Sequence, residues 1–240
     1  MSTHRTIGLV GGMSWHSTLT YYRRINEIVA ERLGGHHSAR VTLQSLDFAD
    51  VRAHQLTGDY EASGRLLAEA GRRCVAGGAE LIAICTNLMH KNHQHLAAAV
   101  DVPVVHIADA VAERCRRHGW ATVGLLGTRP VMEESFYAER LASHGIGVVT
   151  PSGPDRAEVD RIIFDELTRG IFTDASRHRY LEIIAGLAGH GAEAVAFACT
   201  EIGLLVPSST SPLPSIDTGL AHAELLAELA LAPVPVPAGC

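Results

Sequence analysis

The 240-residue chain predicts an α/β fold in two pseudo-symmetric halves, each a parallel sheet of about four strands flanked by helices. Three observations predict it. Short β-branched runs alternate with amphipathic stretches, as in parallel sheets whose two faces are covered by helices. The phrase Gly78-Ala79-Glu80-Leu81-Ile82-Ala83-Ile84-Cys85-Thr86-Asn87 returns as Gly191-Ala192-Glu193-Ala194-Val195-Ala196-Phe197-Ala198-Cys199-Thr200-Glu201. Upstream, Thr6-Ile7-Gly8-Leu9-Val10-Gly11-Gly12 returns as Thr122-Val123-Gly124-Leu125-Leu126-Gly127-Thr128. The repeat places a domain boundary near residue 112. Residues 1–112, completed by a last helix within 217–232, form the expected first domain, and 113–216 the second, with an active site in the cleft between them.

A first strand is expected over 5–11, where Ile7, Leu9 and Val10 are apolar, and a helix over 16–33 that Gly34-Gly35 can stop. A strand at 40–46 precedes a helix at 59–77 and a strand at 80–86. A helix at 91–99 and a strand at 103–107 close the first half. The helix at 108–118 leads to the strand at 121–127, and the order then repeats. Helix 131–144 is followed by Gly145, strand 146–150 and helices 155–169 and 174–190; Gly191 precedes strand 193–199, and strand 213–216 precedes a helix at 217–231. Asp174 is the expected N-cap of the segment carrying Tyr180, Ile183, Ile184 and Leu187 at helical spacing. The Pro-rich run Pro233-Val234-Pro235-Val236-Pro237 cannot continue a helix, so 233–240 is expected to be a flexible tail.

Composition narrows the function. A formal net charge of −6 and the lack of any Lys/Arg block give no reason to expect a nucleic-acid partner. No apolar stretch reaches the ~18 residues of a membrane span. The opening residues, Met1-Ser2-Thr3-His4-Arg5, run into a strand without a signal-peptide hydrophobic region. The five cysteines (74, 85, 115, 199 and 240) form no CxxC pair and read as reduced thiols of a cytoplasmic protein.

In parallel α/β sheets, ligands sit beyond the carboxyl ends of the strands. That rule points at Gly11-Gly12-Met13-Ser14, Asp47, Thr86-Asn87, Thr128 and Cys199-Thr200-Glu201. Cys199 lies eight residues after Gly191, and Thr86 lies eight after Gly78. Neighbouring strand side chains point to opposite faces, so this register pairs Thr86 with Cys199 and turns Cys85 into the packing. A bulge at the strand end would exchange Cys85 for Thr86.

The motifs Gly8-Leu9-Val10-Gly11-Gly12-Met13-Ser14, Cys85-Thr86-Asn87-Leu88-Met89-His90, Leu125-Leu126-Gly127-Thr128 and Cys199-Thr200-Glu201-Ile202-Gly203-Leu204-Leu205 resemble those of the aspartate/glutamate racemase family, over nearly the whole chain. They are most similar to its branch of broad or L-Asp/L-Glu-selective activity. The resemblance implies flavodoxin-like domains, a homodimer, an amino-acid substrate, no cofactor and a pair of acid/base residues that are typically cysteines. The chain departs from the family at one of them. The cysteine that usually precedes the asparagine is Thr86 here, and the following threonine is Leu88, whereas Cys199 matches fully.

Racemisation takes a Cα proton from one face and returns one to the other, so it needs a base and an acid. A thiol, with a reference pKa near 8.5, suits that task better than a hydroxyl. A Thr86/Cys199 pair is therefore expected to be asymmetric. Lys91 is the only lysine, so a pyridoxal-phosphate Schiff base would have to form there, and nothing near it reads as a phosphate loop. Without that electron sink, Thr200, Asn87 and backbone N–H groups are the expected stabilisers of a carbanion.

Arg52 occupies a position where similar racemases carry a substrate-binding arginine; the alternative is a solvated loop residue. Arg169 stands beside another basic position of the family. Asp47 either takes the substrate ammonium or caps a turn, and Glu201 caps or orients. His90, His93 and His95 do not share one helical face and read as polar surface rather than a metal site, with His90 able to orient the strand end. Trp15 is either a core plug or a cleft wall. Two alternatives keep a weaker claim: a same-fold decarboxylase or cis-trans isomerase using one cysteine, and a catalytically weak amino-acid-binding protein.

Overall fold

The computed structural model describes residues 4–233. Beyond Pro233, the expected tail lies outside the described residues. The chain folds as two compact units: one holds the residues up to His106 and those from Ala223 on, the other Ile107–His222.

The first unit contains β1 (Ile7–Gly11), α1 (Trp15–Leu33), β2 (Val41–Ser45), α2 (Phe48–Thr57), α3 (Tyr60–Ala76) and β3 (Leu81–Ile84). A 3-10 turn, Leu88–Asn92, then leads into α4 (His93–Ala97) and β4 (Val104–Val105). The second unit contains α5 (Ile107–His118), β5 (Thr122–Gly127), α6 (Arg129–Glu133), α7 (Ser135–Ala142), β6 (Gly147–Val149), α8 (Gly153–Asp165), α9 (Asp174–Gly189), β7 (Ala194–Ala198), α10 (Ile202–Leu205) and β8 (Ser215–Asp217). The last helix, α11 (Thr218–Leu231), packs Ala223, Leu226, Ala227 and Ala230 into the first unit's core with Ile7, Leu9, Tyr21 and Ile25.

Each unit has a parallel four-stranded sheet, in the orders β2-β1-β3-β4 and β6-β5-β7-β8. The two orders are the same when the second set is counted from β5. This is the α/β class that the alternation and the repeat predict. The central strands β1, β3 and β7 are buried at every residue, and edge strand β2 is half exposed. Burial on both faces is why the central strands read as unbroken apolar runs. Among the described residues, no helix is long and apolar enough to cross a membrane.

The repeated Gly-Ala-Glu has the same job twice. Gly78 and Gly191 take φ of 90° and 92°, a region that favours glycine, and turn the chain out of the preceding helix. Ala79 and Ala192 are buried, and donate to the carbonyls of Cys74 and Leu187 at 3.0 and 3.1 Å. Glu80 then accepts from Thr6 N at 2.8 Å, while Glu193 accepts from the N–H groups of Ala121 and Thr122 at 2.6 and 3.0 Å. The phrase is a device for entering a central strand.

Some expected elements differ. α2 was not expected, because only Val51 of its ten residues is buried and no apolar stripe announces it. α10 is a single turn and left no periodic signal. The helix expected over 131–144 is two, α6 and α7, separated at Glu134, whose ψ of 153° is extended. Likewise 155–169 ends early, in a 3-10 turn at Leu167–Arg169. Asp174 is not the N-cap of α9. Thr173 is, its Oγ1 accepting from Ser176 N at 3.1 Å, and Asp174 opens the first turn.

Candidate active site

In each sheet the chain leaves the two central strands in opposite directions, so a crevice is expected beyond the carboxyl ends of β1 and β3, and of β5 and β7. Several of the predicted residues lie at these two switch points, whereas Asp47, Arg52 and Arg169 do not. In the first unit Val10 pairs with Ile84, which puts Gly11-Gly12-Met13-Ser14 beside Cys85-Thr86-Asn87. In the second, Gly127 pairs with Ala198, which puts Thr128 beside Cys199-Thr200-Glu201.

The turn after β1 needs glycine. Gly12 has φ of 89°, and a Cβ there would lie 2.1 Å from the Leu46 carbonyl oxygen. Gly12 N donates to Thr18 Oγ1 at 2.9 Å, and Thr18 Oγ1 donates to the Ser14 carbonyl at 3.1 Å. Ser14 is half-buried, at the N-cap position of α1. Met13 is buried among Val10, Val51, Ile84 and Met89, so its side chain serves packing.

The end of β3 is pinned on both sides. Ser17 Oγ donates to the Cys85 carbonyl at 3.0 Å, and His90 Nδ1 lies 2.8 Å from the Thr86 carbonyl. Because that partner is an acceptor, Nδ1 of His90 carries the hydrogen. These bonds hold Cys85 with 0% exposure among Ile7, Leu9, Tyr21 and Ala83, and leave Thr86 half-buried. Burial pushes the Cys85 thiol far above the ordinary thiol range. Asn87 and Leu88 are buried beside it.

At the equivalent place in β7, Ala198 is buried and Cys199 half-buried. The Cys199 thiol lies 3.1 Å from Glu201 Oε2, and Thr200 Oγ1 donates to the same oxygen at 2.8 Å. Burial, followed by the charge of Glu201 and this hydrogen bond, raises the Cys199 thiol well above its ordinary value. Thr128 Oγ1 is buried and finds no hydrogen-bond partner among the described residues. Such a hydroxyl is a ready donor to a ligand oxygen. Glu201 stands at the N-cap position of α10, but its side chain makes no cap hydrogen bond.

Other candidates take their places as follows. Asp47 is exposed and caps α2, Oδ1 accepting from Ala49 N at 2.9 Å. Arg52 is not in a loop but in α2; its Nη1 donates to Gln55 Oε1 at 3.3 Å, and Gln55 Nε2 contacts Met89 Sδ at 3.2 Å in the turn after β3. Arg169 is exposed on the 3-10 turn after α8 rather than at a strand end. Trp15 is not a core plug, since it is 57% exposed, and it stacks on His16 at 3.5 Å. Lys91 lies over the Tyr60 ring at 3.7 Å.

The histidines are less superficial than expected. His90 is buried, and its ring lies 4.5 Å from that of His106, which lies 4.9 Å from His93. His95 instead pairs with Glu61 at 2.9 Å. Among the described residues no group of three or more His, Cys, Asp or Glu side chains is placed to hold a metal ion. Sequence reasoning missed Ser17, Thr18 and His106. The first two were legible as polar residues on the otherwise apolar, inward face of α1.

Residues 10–226 match the Asp/Glu/hydantoin racemase family. A crystal structure of a Yersinia pestis protein described as a candidate Asp/Glu racemase has a TM-score of 0.90 at 44% identity, covering 95% of this chain and 100% of its own. An aspartate racemase homologue from Pyrococcus horikoshii OT3 has a TM-score of 0.81 at 31% identity, covering 94% and 98%. A glutamate racemase from Francisella tularensis, solved with D-glutamate, has a TM-score of 0.68 at 15% identity over 95% of this chain and 81% of its own, a likeness of fold alone.

Proposed function

The chain belongs to the Asp/Glu/hydantoin racemase family, and on that premise we propose that it interconverts the enantiomers of aspartate or glutamate without a cofactor, using Thr86 and Cys199. A racemase-type isomerase of a small amino acid is the coarse reading that the family carries. The finer one rests on a single observation. In two sheets of identical order, the first residue after the second central strand that is not fully buried is Thr86 in one, after buried Cys85, and Cys199 in the other.

In this reading the two strand ends address opposite faces of one Cα. Cys199 handles the proton on one face and Thr86 on the other, and general acid–base assistance of this kind is worth about 10²–10⁴-fold in rate. Thr86 is the weaker base, so the two directions differ in kcat, with KM compensating because the equilibrium constant between enantiomers is one. Substrate carboxylates are offered donors by Thr128, Asn87 and Ser14, and the distal carboxylate by Arg52, while the Thr200 hydroxyl is engaged by Glu201. Asp47 spends one oxygen on capping, which favours its role as a cap over ammonium binding. The resemblance extends the proposal to a homodimer working in the cytoplasm, and light scattering of the purified protein tests the first part.

Circular dichroism of D- and L-aspartate and glutamate incubated with the protein tests the reaction. Interconversion is expected in the wild type and in Cys85→Ala, and its loss in Cys199→Ser. Release of carbon dioxide, or ligand binding without interconversion, would refute the reading.

A further inference from the structure

Resting on that reading, we propose that Ser17 is a positioning residue that decides which of two neighbouring side chains, Cys85 or Thr86, the first unit presents to the substrate. Three hydroxyl residues stand in the first two turns of α1. Thr18 and Thr20 bond back to the carbonyls four residues earlier, of Ser14 and His16, at 3.1 and 3.3 Å, a common habit of helical hydroxyls. Ser17, buried on the inward face of the helix, instead reaches across with its Oγ to the Cys85 carbonyl at 3.0 Å. The next residue ties the helix to the turn after β1. Thr18 Oγ1 accepts from Gly12 N at 2.9 Å, and a Cβ on Gly11 would lie 2.5 Å from that oxygen. Ser17 is therefore a crossbar from the turn after β1 to the end of β3.

The carbonyl it holds belongs to the peptide unit between Cys85 and Thr86. The carbonyl 2.8 Å from His90 Nδ1 belongs to the next unit, between Thr86 and Asn87. Peptide units are planar, so holding both fixes the dihedrals at Thr86 and with them the direction of its side chain. Rotation of the first unit would exchange the faces, bringing Cys85 out and Thr86 in. The first unit needs such a lock more than the second. Cys85 and Thr86 both carry a proton-bearing group, whereas Cys199 follows Ala198, so the wrong register there would present only a methyl group. The Thr218 hydroxyl at the end of β7 holds the Phe197 carbonyl at 2.9 Å, which corresponds to Ile84 rather than Cys85. A hydroxyl is a weak base and depends on its alignment with the reacting atom, so a misplacement of about 1 Å costs up to about 10²-fold in rate.

Ser17→Ala removes the crossbar and keeps a good helix former in α1. Iodoacetamide labelling, located by peptide mass spectrometry, is expected to reach Cys85 about tenfold faster in the variant, with the buried thiols of Cys74 and Cys115 unchanged. Turnover is expected to fall about tenfold in both directions with KM within about threefold, the mark of misalignment rather than of lost binding. A residue that works through Thr86 has nothing left to position once that side chain is gone. Deuterium entry from heavy water at the Cα face served by Cys199 should therefore be the same in Thr86→Ala and in Ser17→Ala/Thr86→Ala. A further loss in the double variant would overturn the proposal. So would faster labelling of all three thiols together, which would make Ser17 a residue of general stability, or a Cys85 as protected as in the wild type. A wild type that does not racemise overturns the racemase reading, and the labelling then decides alone whether Ser17 holds the strand end.

Discussion

The two units carry the same sheet and the same entry device, and they part company within three residues. After β3 the chain reads Thr86-Asn87-Leu88; after β7 it reads Cys199-Thr200-Glu201. The first end is fastened through its backbone, with Ser17 on the Cys85 carbonyl and His90 on the Thr86 carbonyl. The second is fastened by Thr218 on the Phe197 carbonyl and adds a side-chain arrangement, with two donors converging on Glu201. The duplicated fold thus presents two strand ends of matched position and unmatched chemistry. Position is set by the repeat, while reactivity is set by the side chains and what surrounds them.

The largest expected effect is on the thiol side. Cys199→Ser should lower turnover by about 10³-fold or more, the cost of replacing the stronger of the two proposed acid/base groups; steady-state kinetics in both directions read it. Thr86→Cys should make the halves alike. There the kcat of the slower direction is expected to rise by about tenfold, the two kcat values to converge, and kcat/KM to rise equally for both enantiomers. Unequal kcat values that persist in this variant would separate the asymmetry from residue 86.

Smaller effects probe the fastening. His90→Ala removes the bond to the Thr86 carbonyl and should cost about 1 kcal/mol of stability in urea unfolding, together with a drop of about tenfold in turnover. Cys85→Ala leaves a small hole in the core, at a cost of about 1–2 kcal/mol, while turnover stays near wild type. A larger loss of turnover than of stability there would put Cys85 in the chemistry.

The smallest effect is on stability against pH. Burial pushes the thiols of Cys74 and Cys115 up to about 11, whereas unfolded thiols ionise near 8.5. Above that value the unfolded chain holds fewer protons than the folded one, so stability declines with rising pH. The contribution is complete below about 8.5 and gone above about 11. Melting temperatures across that interval should drop less in a Cys74→Ala/Cys115→Ala variant than in the wild type.

Much of this was legible in the sequence because parallel strands buried on both faces announce themselves. The runs around Ile82 and Ala196 gave both the strands and the register that sets Cys85 inward and Thr86 outward. What stayed hidden was held by contacts rather than patterns. α2 buries only Val51, so no periodicity revealed it, and Arg52 stayed open between a substrate-binding arginine and a solvated loop residue. His106 joined the histidines through β4 lying beside β3, a pairing that no local spacing encodes. Glu201 stayed open between capping and orienting, because carboxylates at helix starts usually are caps. Its contacts with Cys199 and Thr200 are side-chain contacts that no spacing encodes.

Deuterium entry at Cα in heavy water, followed for each enantiomer separately, tests the central claim most directly. With Thr86→Ala, deuterium should enter the one enantiomer whose Cα–H faces Cys199, without inversion, and with Cys199→Ser its entry into that enantiomer should be lost. Entry that persists in Cys199→Ser but disappears in Cys85→Ala would contradict the account.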